Sequence, residues 1–221
     1  MKKVSVILLI IMLAITFVGC KKPENEPSEP VLQNASTMNE SSDKNIMIIV
    51  PDTEDIVSVT TEELNAVKAY AESRVGEDAA VTIDEENKQV IVAMTREIPD
   101  NTAEQLTTKP TLTFRDPNGT VIMDGSDVLH TEPQINGSDS YIEIQFTENG
   151  RTRFTGVTKK YKNQTISVYL DETLITEATV YAVITEETVQ LICHFSAEEM
   201  INISTNINFA ILPYPLKAIT Q

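Results

Sequence analysis

Tyr141-Ile142-Glu143-Ile144-Gln145-Phe146-Thr147-Glu148-Asn149-Gly150 passes from one backbone period to another within a few residues. Ile142, Ile144 and Phe146 alternate with polar residues, so an extended chain puts them on one face and leaves Glu143 and Gln145 on the other. Thr147 then offers a side-chain oxygen to the free N–H groups of a helix start, and the spacing predicts a helix to about Lys160 despite Gly150 and Gly156 inside it. A half-buried strand feeding straight into a capped helix is a unit of mixed architecture.

The same rhythm extends in both directions. Downstream, Thr165 to Leu170 reads as a strand, Asp171-Glu172 as a turn, and Val180 to Ile184 and Thr188 to Phe195 as further strands. Ser196-Ala197-Glu198-Glu199 is a capping box opening a helix to about Asn206, and the chain closes on Leu212-Pro213-Tyr214-Pro215-Leu216. Upstream, Asp116-Pro117-Asn118-Gly119 is a turn, preceded by a strand Thr111 to Arg115 and a short helix from Thr102 to Leu106. Ala80 to Ile83 and Gln89 to Met94 form a hairpin across Asp84 to Asn87. Thr60 and Glu63 make a second capping box, before Leu64, Val67, Ala71 and Val75 at helical spacing and Gly76 as the stop. Ile46 to Val50 is a buried strand ended by Pro51. Strands and helices with short links define the class as α+β.

The N-terminus has a different purpose. Lys2 and Lys3 precede an apolar run from Val4 to Val18, too short to span a bilayer comfortably and suited to a signal-peptide core. The run ends in Phe17-Val18-Gly19-Cys20, which resembles the bacterial lipobox with Phe17 where Leu is usual. Cys20 is therefore expected to take a lipid and hold the chain to the outer face of a membrane. Residues 21–44 are rich in Pro, Glu, Asn and Ser, a composition that cannot bury a core. They are expected to form a disordered tether with a reach of roughly 25–30 Å.

The chain has 33 acidic and 17 basic residues and a formal charge of −16, which argues against a basic patch for nucleic acid or anionic headgroups. Cys20 and Cys193 are the only cysteines, so lipidation of the first leaves no intrachain disulfide. Cys193 lies in the apolar run from Val189 and reads as a buried, inert thiol, and His194, on the opposite face of a strand, is not placed to act as its base. His130 and His194 have no Cys or carboxylate partners at metal-ligand spacing, and no phosphate loop, nucleophile elbow or zinc-helix motif occurs. Glu186-Glu187 and Glu198-Glu199 suit a turn and a helix start. No catalytic residue, metal ligand or cofactor is assigned, and the expectation is a protein that is not an enzyme.

Five segments, in order, resemble the large extracytoplasmic domain of SecD, a subunit of the bacterial protein-export accessory complex. Leu112 to Asp116 is similar to that family's L-x-F-R-x strand. Ile144 to Gly150, with Phe154 and Thr158, resembles its strand and T-x-E-G-x-x-x-F-x-x-x-T helix. Ser167 to Asp171 with Leu174 to Thr176 and Ala178 resembles A-I-x-L-D-G-x-x-I-S-A-P. Phe195 to Glu199 is similar to F-T-x-E-E, and Leu212 to Leu216 to L-P-A-P-L. More loosely, Arg74-Val75-Gly76 and Ile98-Pro99 resemble upstream segments. Glu172, Ala178 or Thr179, and Glu186-Glu187 depart from the family's turn glycines and proline.

The resemblance implies a ferredoxin-like base at residues 45–115 and a head at 116–217, behind a signal peptide at 1–19 and the tether at 20–44. It also implies binding of exported or envelope polypeptides, at residues the sequence does not identify, with neither nucleic acid nor a small-molecule substrate. The family's proton-driven membrane helices have no counterpart here, because no apolar run after Val18 is long enough to span a bilayer. An adaptor binding one specific envelope protein is the alternative expectation.

Overall fold

The computed structural model describes residues 45–137, 140–192 and 195–220. The expectations for the signal peptide, Cys20, the tether, Cys193 and His194 fall outside them.

Strand β1 (Ile46–Pro51) lies inside an antiparallel sheet of order β11-β1-β3-β2 with β2 (Ala79–Asp84), β3 (Gln89–Met94) and β11 (Leu216–Thr220). With helix α1 (Thr61–Val75) between β1 and β2, this is the strand order of a ferredoxin-like layer. Both Thr60–Glu63 capping bonds form, at 2.8 and 3.2 Å, and Gly76 ends α1 at φ 72°. Met47, Ile49, Val90 and Val92 alternate toward Leu64, Val67 and Ala71 of α1, and helix α2 (Thr102–Thr107) adds Leu106.

The head has two sheets. β4 (Leu112–Arg115), β5 (Val121–Asp124), β8 (Thr165–Leu170) and β9 (Thr173–Thr179) pair in the order β5-β4-β8-β9. β6 (Val128–Gln134), β7 (Tyr141–Phe146) and β10 (Thr188–Ile192) pair as β10-β7-β6. Helix α3 (Glu148–Lys160) starts on Thr147, whose hydroxyl accepts the Gly150 N–H at 2.9 Å. Phe114, Phe146, Ile142, Ile144, Val168 and Leu191 share one core. Phe154 joins it, with ring centroids 4.6 Å from Phe146 and 6.5 Å from Phe114.

This arrangement corrects the boundaries expected from sequence. Asp116 to Gly119 closes an ordinary hairpin between β4 and β5 rather than marking a junction. Asp116 Oδ1 accepts the N–H groups of Asn118 and Thr120 at 2.9 and 3.0 Å, and Gly119 adopts φ 81°. Leu112 and Phe114 pack in the head, not the base. At the other end, Leu212, Tyr214 and Leu216 pack in the base core, and β11 pairs with β1. The base is therefore built from two separated stretches of chain, and the head is inserted between them. The described residues of base and head nevertheless belong to one compact unit.

Helix α4 (Ala197–Ala210) joins the two cores. Its capping box on Ser196 forms as expected, but the helix continues past Asn206. Met200 and Ile207 enter the head core, whereas Phe209 lies in the base core, stacked on Tyr70 at 3.7 Å and 2°. Arg74 adds a hydrogen bond to Asn206 at 2.8 Å.

Candidate functional site

The base and head enclose a groove of about 1290 Å³. The N-terminal turn of α1 supplies Glu62 and Glu63, the connection into β4 supplies Lys109, and β6 supplies His130. Asn208 and Ile211, at the C-terminal end of α4, close it. Lys109 Nζ donates to the Leu212 carbonyl, and partial burial holds its pKa below the usual lysine value. His130 Nδ1 faces Glu62 Oε1 at 3.5 Å across the groove. Next to it, Asn208 Oδ1 accepts from Thr131 N–H at 2.8 Å, and Asn208 Nδ2 donates to Thr131 O, also at 2.8 Å. Ser204 Oγ donates to that same carbonyl at 3.0 Å. These bonds fasten α4 along the outer edge of β6.

A second feature lies at the far edge of the same sheet. Phe146 N–H donates to Glu187 O at 3.0 Å, which sets the phase of the β7–β10 ladder. In an antiparallel pair hydrogen-bonded positions alternate, so Val189 and Leu191 turn their backbone groups to β7, while Thr188, Gln190 and Ile192 turn theirs outward. The β6 side is consistent with this phase. Pro133, which has no N–H, falls at an outward position, and outward Thr131 N–H is the one taken by Asn208. On β10, Thr188, Gln190 and Ile192 are exposed. Ile192 O accepts from Thr176 Oγ1 of β9 at 3.2 Å, and no described residue bonds the outward N–H groups of Thr188 and Gln190.

The solvent face of this sheet is acidic. Glu132 of β6 and Glu143 of β7 are direct cross-strand partners, and Gln190 is the β10 partner of Glu143. Neither carboxylate has an ion pair among the described residues. Like charges directly opposite each other disfavour the pairing.

The residues weighed from sequence fall in separate places. His130 lines the groove. Glu187 Oε1 accepts from Gln145 Nε2 at 3.1 Å, and Glu186 is held below the usual carboxylate range by the Thr185 N–H. Glu199 sits in its helix cap and is held low by the Ser196 N–H. Among the described residues no cluster of three or more His, Cys, Asp or Glu is placed to hold a metal ion, and no helix is long and apolar enough to cross a membrane. The open β10 edge and the Glu132–Glu143 row were missed, although Thr188 to Ile192 is visibly free of charge and proline. Three sheets, an inserted head and a groove with hydrogen-bonding walls define an α+β protein with two cores.

The family model of the SecDF P1 head subdomain matches residues 96–214, and the chain belongs to that family. The matched stretch includes all of the head and excludes β1, α1, β2, β3 and β11. Three solved structures are similar over most of the chain. SecDF in a super-membrane-facing form has 17% identity over 78% of this chain and 29% of that one, with a TM-score of 0.48. A structure described as a membrane component SecDF that enhances protein export has 16% identity over 78% of this chain and 97% of that one, with a TM-score of 0.47. SecDF from Thermus thermophilus, described as translocon-associated, has 17% identity over 80% of this chain and 30% of that one, with a TM-score of 0.47. The chain thus spans less than a third of two of the SecDF chains it matches. No curated protein matches the sequence.

Proposed function

We propose that the protein is a non-catalytic, lipid-anchored module, attached through Cys20 to the outer face of a membrane, that binds polypeptide and assists protein export. The observation behind this reading is the SecDF P1 head match over residues 96–214. No helix among the described residues is long and apolar enough to cross a membrane, so the proposed role calls for a means of staying near the site of export. The apolar run before Cys20 and the lipobox-like Phe17-Val18-Gly19-Cys20 supply one.

Photo-crosslinking from the head in cells tests the binding claim. Many nascent exported chains are expected as products; a single dominant partner would replace this reading with that of an adaptor. Metabolic labelling with a palmitate analogue tests the anchor. Cys20→Ala is expected to abolish incorporation, and persistence of label would exclude Cys20 as the acceptor.

A further inference from the structure

Among the described residues six strands lie at sheet edges: β2, β5, β6, β9, β10 and β11. An exposed edge is a template for unwanted pairing, and proteins blunt it with charge, proline or a covering element. β2 has Asp84, β5 Asp124, β9 Glu177 and β11 Lys217, while β6 has Glu132 and Pro133 and lies under α4. β10 is the exception. Thr188-Val189-Gln190-Leu191-Ile192 contains no charge, histidine or proline. Its outward positions are exposed, Ile192 to 69%. The two edges β9 and β10 meet at the Thr176–Ile192 contact but form no ladder, so the stretch from Thr188 to Gln190 stays open.

We propose that β10 is the binding edge of the head, and that along its open stretch from Thr188 to Gln190 it takes an extended polypeptide as an added strand bearing a basic residue. This rests on the polypeptide-binding reading above and gives it a location and a ligand chemistry. Strand addition would satisfy the outward backbone groups of Thr188 and Gln190, an affinity that needs no particular side chains. Side chains set the preference. A guest residue opposite Gln190 joins the row that already holds Glu143 and Glu132, two carboxylates without a counter-ion among the described residues. Lysine or arginine there reaches across Gln190 and relieves their repulsion.

The test uses the purified full chain and fluorescent peptides of alternating Thr and Val with either Lys or Glu at the central same-face position. A reduced, carboxymethylated unfolded protein serves as a general probe. The Lys peptide is expected to bind at least tenfold more tightly than the Glu peptide, with the preference fading as salt is raised. Binding should slow amide exchange at Thr188 and Gln190. Gln190→Pro removes an outward N–H while sparing the β7 ladder, and should weaken binding at least tenfold. N-methylation of alternate peptide amides should do the same with the protein unaltered, so the result does not depend on how well the proline variant folds. If peptides bind but both blocks leave affinity unchanged, the β10 assignment is wrong and polypeptide binding stands. Equal affinity for Lys and Glu peptides would overturn the ligand chemistry. If neither peptides nor the unfolded protein bind, the polypeptide-binding reading itself falls.

Discussion

Gly150 lies in the first turn of α3, where an added methyl group would come 1.9 Å from the carbonyl oxygen of Asp127. That carbonyl is fixed, because it accepts the Thr147 N–H at 2.9 Å and the buried Asp127 carboxylate is held by Arg153 at 2.8 Å. Gly150→Ala gains about 1 kcal/mol of helix propensity but forces backbone apart. Net destabilisation of about 1–3 kcal/mol is expected in urea unfolding. From sequence this glycine looked like a helix weakness; its reason is a contact with residues far away in the chain, which periodicity does not reveal. Tyr214 is the opposite case, a residue whose polar atom has no use in the fold. Its hydroxyl is buried without a hydrogen-bond partner among the described residues, and burial, then the charge of Glu63, holds its pKa above the phenol value of 10.0. The folded state thus keeps a proton that the unfolded chain releases. The stability linked to it is whole below pH 10.0 and falls as pH rises beyond that value. Tyr214→Phe should leave stability at neutral pH unchanged or raise it by about 1 kcal/mol. It should also flatten the alkaline limb of a melting-temperature profile; a variant clearly less stable at neutral pH would show that the hydroxyl has a hidden partner.

Among the elements, α4 is the one whose loss should be felt in both cores. Phe209 is fully buried and stacked on Tyr70, so Phe209→Ala should cost about 3–5 kcal/mol. The damage should appear as faster amide exchange in α1 and β1, with the β7 amides less affected. The elements read well from sequence were those with a strong local signal: both predicted capping boxes, the β2–β3 hairpin and the β7–α3 unit. Those missed had their signal diluted. β5 is four residues long, β6 is broken by His130, Glu132 and Pro133, and β11 follows a proline-rich approach. The apolar run from Val180 to Ile184 predicts a strand, but the strand lies just before it, as β9 from Thr173 to Thr179. Its backbone is claimed elsewhere: Val180 bonds Asn163 and Gln164, and Ile184 N–H donates to Thr158 Oγ1 on α3 at 3.0 Å.

For the whole molecule, the insertion of the head into the base alters what a truncation does. A division with the head ending at residue 217 would make residues 212–221 dispensable to the base. In the observed pairing they supply its edge strand and bury Leu212, Tyr214 and Leu216. Deleting them should unfold the base, seen as loss of exchange protection in β1 and β3, rather than trim a loose end. Retained protection in β1 would show that the remaining strands suffice. The α+β class and the likeness to the SecD family were legible because they rest on ordered local motifs. The boundary was not, because the segments on either side of the head meet only in space. No local pattern marks Leu216 to Thr220 as the neighbour of Ile46 to Pro51.

That neighbour relation has a mechanical side. β1 is an interior strand, bonded to β11 on one flank and to β3 on the other. A pull on the chain ahead of Asn45, directed along β1, enters the fold through it and meets both ladders in shear. The bonds then share the load and must fail together, whereas a strand peeled from an edge gives them up one at a time. If the chain is held at its N-terminus and the head binds a moving polypeptide, as proposed, the fold is loaded along its stiffer direction.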